Sequence, residues 1–116
     1  MNAVNLNAKL ATFSEYFQPR TVAQFNGHDI MVAKLNGEFV WHKHDDTDDF
    51  FLVIKGHMKI ELRDRTVSLG PGELFVVPKG VEHRPVAQEE VHLLLIEQTG
   101  TPNTGDVTTA TPRRVI

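Results

Sequence analysis

Between residues 22 and 98 no apolar run is long enough to make a helix before a glycine, proline or asparagine cuts it off. Asn26-Gly27 and Asn36-Gly37 bracket the run Asp29-Ile30-Met31-Val32-Ala33-Lys34-Leu35 and read as turns. The run from Phe50 to Lys55 ends at Gly56, and Met58-Lys59-Ile60-Glu61-Leu62 alternates apolar and polar. Arg63-Asp64-Arg65 leads into Thr66-Val67-Ser68-Leu69, and Gly70-Pro71-Gly72 is a turn. Pro78 ends the next run, because it cannot donate to a central ladder. Val91 begins the last clear strand, which runs to Gln98. Short strands with regular turns pack as an antiparallel β-sandwich or barrel, here over about residues 28–98. One helical period precedes them. Leu6, Leu10, Phe13 and Phe17 share a stripe, which predicts a short N-terminal helix over residues 5–17, capped by Asn5 and stopped before Pro19. That stripe should cover the outside of the sheet. Residues 99–116 are polar and form a C-terminal tail.

Composition narrows what such a sheet can do. At 116 residues with 41% apolar side chains, the chain supports one domain with a small core. A net charge of −3 gives no basic surface for nucleic acid. No apolar run can span a membrane, and the N-terminus has no basic-then-apolar leader, so a cytoplasmic location is expected. The chain has no cysteine, which excludes disulfides and thiolate metal ligands. Any metal must therefore be held by nitrogen and oxygen.

Those donors are present. In a strand opened by Gly37, His42 and His44 lie two residues apart and share one face. Asp49 follows an acidic bend, and His83 follows Pro78-Lys79-Gly80. Three imidazoles and a carboxylate suit a divalent transition metal: Fe, Mn, Ni, Co, Cu or Zn. Asp48 competes with Asp49, but regular strand geometry turns it to the other face. His92, on the last strand, is a candidate acid–base group. Arg84 is a candidate contact for an anionic substrate. Alternation places Val40 inward with the histidines and Phe39, Trp41 and Lys43 outward. On the next strand Phe51, Val53 and Lys55 follow Asp49 inward if no bulge intervenes, leaving Phe50, Leu52 and Ile54 outside. An outer face that apolar needs a cover beyond one helix, so a homodimer is expected.

With these residues in place, the chain resembles a small single-domain cupin of type 2. The first family motif is matched by Gly37, four residues, His42-Lys43-His44, four residues, Asp49, six residues and Gly56. The second is matched by Gly72, five residues, Pro78-Lys79-Gly80, two residues, His83, three residues and Ala87. Three departures stand out: a spacer one residue short after Gly37, Asp49 where the family has Glu, and Ala87 where it has Asn. The resemblance implies a jelly-roll fold, also described as a double-stranded β-helix, with His42, His44, Asp49 and His83 as metal ligands. It further implies a small metal-dependent enzyme of dioxygenase, isomerase or lyase type. Its substrate would be a small oxygen-rich or carboxylate metabolite chelated at the metal. A non-catalytic small-molecule binding or sensing module is the alternative.

Overall fold

A computed structural model describes residues 2–116. Its elements are α1 (Leu6–Leu10), β1 (Arg20–Phe25), β2 (His28–Glu38), β3 (Asp49–Lys55), β4 (Met58–Leu62), β5 (Thr66–Leu69), β6 (Leu74–Val77), β7 (His83–Gln98) and β8 (Arg114–Val115). All strands join one mixed sheet that does not close on itself, in keeping with a β-sandwich. Its axis is β7, the 16-residue strand. One edge of β7 pairs with β2, from His28↔Gln98 to Glu38↔Val86. The other edge is divided. Its N-terminal half pairs with β4, and its C-terminal half with β3, which carries β6. The division splits that side into two leaves, and Met31, Phe51, Ile60, Val91 and Leu93 fill the core at no more than 3% exposure.

The Asn26-Gly27 turn forms as expected. Both residues take positive φ, 48° and 76°, and Phe25 pairs with His28 across a two-residue hairpin loop. Asn36-Gly37 does not turn the chain. β2 runs straight through it, and the ladder to β7 shifts register between Leu35 and Gly37. The extra residues of that shift lie on β7, between Ala87 and Val91, and Gly37, at φ 94°, takes the positive backbone angle opposite them. The predicted strand through His42 and His44 is accordingly absent. After Glu38 the chain is irregular: the Phe39 amide still donates to the Pro85 carbonyl of β7 at 2.9 Å, and an isolated bridge, His42↔His83, follows before β3.

The helix is shorter than residues 5–17. Asn5 caps it by accepting from the Ala8 amide at 3.0 Å. It ends at Leu10, where the Thr12 hydroxyl binds the Lys9 carbonyl at 2.6 Å and competes with the next helical turn. Phe13 then leaves the stripe and lies under the Arg20 and Lys34 cations. Leu10 and Val32 are buried outside the main core, so α1 does cover the outer face of β2. The C-terminal segment folds back onto its own chain. Thr21 accepts from the Ile116 amide at 2.9 Å, and β8 runs parallel to β1.

Gly56 closes the β3–β4 turn at φ 87°, and an added Cβ would stand 2.8 Å from the Glu90 carbonyl oxygen. Gly56→Ala should therefore lower stability by about 2 kcal/mol through strain and this clash. Urea denaturation checks it, and an unchanged midpoint would contradict the turn geometry.

Candidate metal centre

The four predicted ligands reach one point from three chain segments. His42 and His83 are joined through their backbones: the His42 amide donates to the His83 carbonyl at 3.0 Å, and the His83 amide to the His42 carbonyl at 2.9 Å. Their rings then lie 4.3 Å apart, centroid to centroid. His44 is drawn in as its carbonyl accepts from the Gly80 amide at 2.8 Å, which locks the Pro78–Gly80 turn against the irregular stretch. Asp49 is the first residue of β3. Its neighbour Asp48 turns outward and accepts from the Lys79 amide at 2.9 Å, so Asp49 is the carboxylate beside the histidines. One ligand atom from each of His42, His44, Asp49 and His83 lies within 4.8 Å of the others, and all four residues are buried.

Two rings are set in the tautomer a metal needs. His42 Nδ1 lies 2.9 Å from the Val40 carbonyl, and His83 Nδ1 lies 2.9 Å from the Val81 carbonyl. A carbonyl can only accept, so Nδ1 carries the proton and Nε2 presents a lone pair. His83 Nε2 then faces Asp49 Oδ2 at 3.3 Å, and His44 Nε2 lies at the same distance from that oxygen. Neighbouring donors around an ion with bonds of about 2.1 Å stand roughly 3 Å apart, so this spacing fits ligands of one cation. Both nitrogens of His44 and Oδ1 of Asp49 are buried without a hydrogen-bond partner. Leaving buried polar atoms unpaired is costly, and a cation would satisfy one His44 nitrogen and the Asp49 oxygen.

Electrostatics agree. Burial holds the His42 ring down to about 4, so it is neutral at pH 7. Burial alone would raise Asp49, but the His44 and His83 rings beside its Oδ2 outweigh it and hold the carboxyl below its usual range. A second carboxylate, Glu97 of β7, is 4% exposed with Oε2 at 3.3 Å from His44 Nε2. Burial first, and the Asp49 charge second, drive its carboxyl upward, while Arg113 opposes them. Sequence reasoning missed Glu97. Its signal was parity: it follows Val91, Leu93 and Leu95 on the inward face of β7.

Val40, Phe39 and Lys55 depart from the expected alternation, and His92 and Arg84 are engaged elsewhere. His92 lies on the opposite face of β7 and pairs with Glu90 at 2.8 Å, because strand alternation puts it out of phase with Glu97. Arg84 is held by Glu61 at 2.6 Å and Glu38 at 3.3 Å, beside the Trp41 ring. Val40 is 53% exposed and Phe39 turns inward, because strict alternation lapses where the ladder ends. Phe39 stacks on Phe17 at 5.1 Å and meets His42 edge-on at 5.2 Å. Together with Leu35, Phe51, Leu93 and Leu95, these two rings wall a cavity of about 40 Å³ that His42, Asp49 and Glu97 also line.

Comparison with known proteins gives the following. A family model described as "Cupin domain" matches residues 30–97. The crystal structure of a cupin-2 domain containing protein from Shewanella frigidimarina is 43% identical, with a TM-score of 0.81 over 82% of this chain and 93% of that one. The uncharacterized protein YdbB of Bacillus subtilis is 34% identical over 65 residues, or 55% of this chain, which spans 58% of the relative's length. A hydroquinone 1,2-dioxygenase, crystallised with Cd2+ and 4-hydroxybenzonitrile, shares the fold at 17% identity, with a TM-score of 0.69 over 83% of this chain and 72% of that one.

The His42 shift has a testable sign in metal-free protein. Between pH 6.5 and about 4 the unfolded chain binds a proton that the folded ring refuses. Stability is thus full above pH 6.5 and is lost as pH falls toward 4, by on the order of 3 kcal/mol. Urea denaturation at pH 7.5 and 4.5 should show that loss, and His42→Gln should reduce it. An equal loss in both proteins would remove His42 as its cause.

Proposed function

The chain belongs to the cupin domain family, and on that premise we propose that His42, His44, Asp49 and His83 hold one divalent transition metal: Fe, Mn, Ni, Co, Cu or Zn. The observation that carries this reading is the convergence of the four donors, with His44 and the Asp49 Oδ1 atom buried and unpartnered. Bound there, the ion would supply Lewis acidity toward an oxygen donor, or activate dioxygen. The chain's own residues do the rest. The Val40 and Val81 carbonyls orient the His42 and His83 rings, the apolar walls exclude water, and Glu97 stands at the cavity wall as the available proton carrier.

We read the whole as a small metal-dependent enzyme of dioxygenase, isomerase or lyase type, with residues 1–116 forming a single domain. Its substrate is a small oxygen-rich or carboxylate metabolite that chelates the ion. The cavity refines this picture. Among the described residues lining it there is no lysine or arginine, so an anionic head group would meet the metal rather than a side chain. The remaining body of the molecule would lie against Phe17, Phe39 and Phe51. A non-catalytic small-molecule binding or sensing module is the second reading. It is favoured by His92 facing away, which leaves Glu97 without a partner base.

No helix among the described residues is long and apolar enough to cross a membrane. We propose a cytoplasmic location, since a chain without cysteine suits a reducing compartment. The outer face supports a homodimer. Phe50 pairs with Val76 and Leu52 with Leu74, and Leu74 and Val76 are 55% and 39% exposed. A second copy laid on these strands would cover them.

Protein purified without chelator should carry about one metal per chain by elemental analysis. His42→Ala with His44→Ala should abolish it, and full occupancy in that variant would reject the assignment. Oxygen uptake against a panel of small chelating acids and phenols separates the redox reading from the others. Analytical ultracentrifugation should find a dimer at micromolar concentration, and a pure monomer would refute that part.

A further inference from the structure

Glu97 is held by a residue far away in the chain. Arg113, just before β8, reaches between two buried carboxylates: its NH1 lies 3.0 Å from Asp29 Oδ2 and its NH2 lies 3.0 Å from Glu97 Oε1. Asp29 and Glu97 are each 4% exposed, and they are cross-strand partners on β2 and β7. The Thr101 carbonyl also accepts from Arg113 NH2. Asp29 is fixed in turn by Gln24 at 3.0 Å and by the Thr99 hydroxyl at 2.9 Å. Glu97 spends one oxygen on Arg113 and turns the other toward His44 Nε2 at 3.3 Å. A chain of polar contacts therefore runs from the C-terminal segment to a metal-centre histidine that has no hydrogen bond of its own.

We propose that Arg113 is a positioning residue of the metal centre: by clamping Glu97 it keeps a second carboxylate beside His44 and Asp49. The inference rests on the metal-binding reading above. The physical reason is twofold. The guanidinium fork is rigid and always charged, so it fixes the direction of the Glu97 carboxylate and offsets its burial. The free Glu97 oxygen meets His44 at Nε2, the nitrogen that also faces Asp49, so a carboxylate fixed there adds negative charge on the cation's own side of the ring. Groups that hydrogen-bond carboxylates at a metal site typically contribute 10–100-fold to affinity. Residues 99–116 then serve as part of the centre rather than as a loose tail.

The test uses the full chain and Co2+, with affinity read by chelator competition and geometry by the visible d–d spectrum. The variants are Arg113→Gln, Arg113→Lys, Glu97→Gln and the double variant Glu97→Gln with Arg113→Gln. Arg113→Gln should weaken Co2+ binding by roughly 10–100-fold and shift the spectrum. Glu97→Gln should do the same, and the double variant should be no weaker than Glu97→Gln alone. Arg113→Lys, which keeps the charge but not the fork, should recover part of the affinity. If Arg113→Gln does not fold, Arg113→Lys carries the test through a smaller loss of affinity with a shifted spectrum. A merely structural Arg113 would lower the thermal midpoint and leave the affinity and spectrum of folded protein unchanged, which would overturn the proposal. So would additive losses in the double variant. Failure of the unmodified protein to bind Co2+ would bring down the metal reading itself and this inference with it.

Discussion

Two backbone hydrogen bonds between His42 and His83 hold the centre together. They couple an irregular stretch to the first residue of β7, and β7 is the strand on which the whole sheet is assembled. A side chain on a free loop pays rotamer and backbone entropy each time it meets a metal. Here that cost is met during folding, when the ladder forms. The Gly80 amide, bound to the His44 carbonyl, extends the same logic to the third imidazole. The candidate metal centre is thus an extension of sheet pairing into a segment that is no longer a strand.

The second constraint is charge in a dry place. Asp29, Asp49 and Glu97 are all buried, and so are His42, His44 and His83. A core of this size cannot leave such groups unpaired. Arg113 answers Asp29 and one oxygen of Glu97, and the Val40 and Val81 carbonyls answer two ring N–H groups. Of these groups, His44 and the Asp49 Oδ1 atom are left over, beside only the Thr21 hydroxyl among the buried side-chain atoms of the described residues. His42, Asp49 and Glu97 meet apolar walls at the cavity. Phe17 belongs to those walls. It sits at φ 58°, unusual for a bulky residue, and is held there by the hydrogen bond its amide donates to the Lys34 carbonyl and by its stacking on Phe39.

Much of this was legible because local rules carried it. Alternation in residues 58–62 and 91–98, the Asn26-Gly27 turn, the Asn5 cap and Pro78 all act within a few residues, and each appears as read. The four ligand candidates were legible as residue types at a spacing, and the choice of Asp49 over Asp48 followed from strand parity. The failures have one cause. Asn36-Gly37 suits a register shift as well as a turn, and which it becomes depends on β7 lying alongside β2. Once the ladder ends at Glu38, parity no longer predicts direction, so Val40 and Phe39 exchange roles. The helix stops early because Phe13 and Phe17 find tertiary partners that the stripe does not reveal.

The sequence by itself determined a β-sandwich of short strands, a nitrogen-and-oxygen donor set and the absence of thiol chemistry, since these follow from periodicity, turn residues and composition. Tertiary structure alone decided that Glu97 lies beside His44, that His92 and Arg84 pair with other carboxylates, and that Arg113 returns from residues 99–116 to hold Glu97. Those outcomes depend on contacts between residues far apart in the chain. No local propensity encodes them, and only the packing of β2 against β7 brings them together.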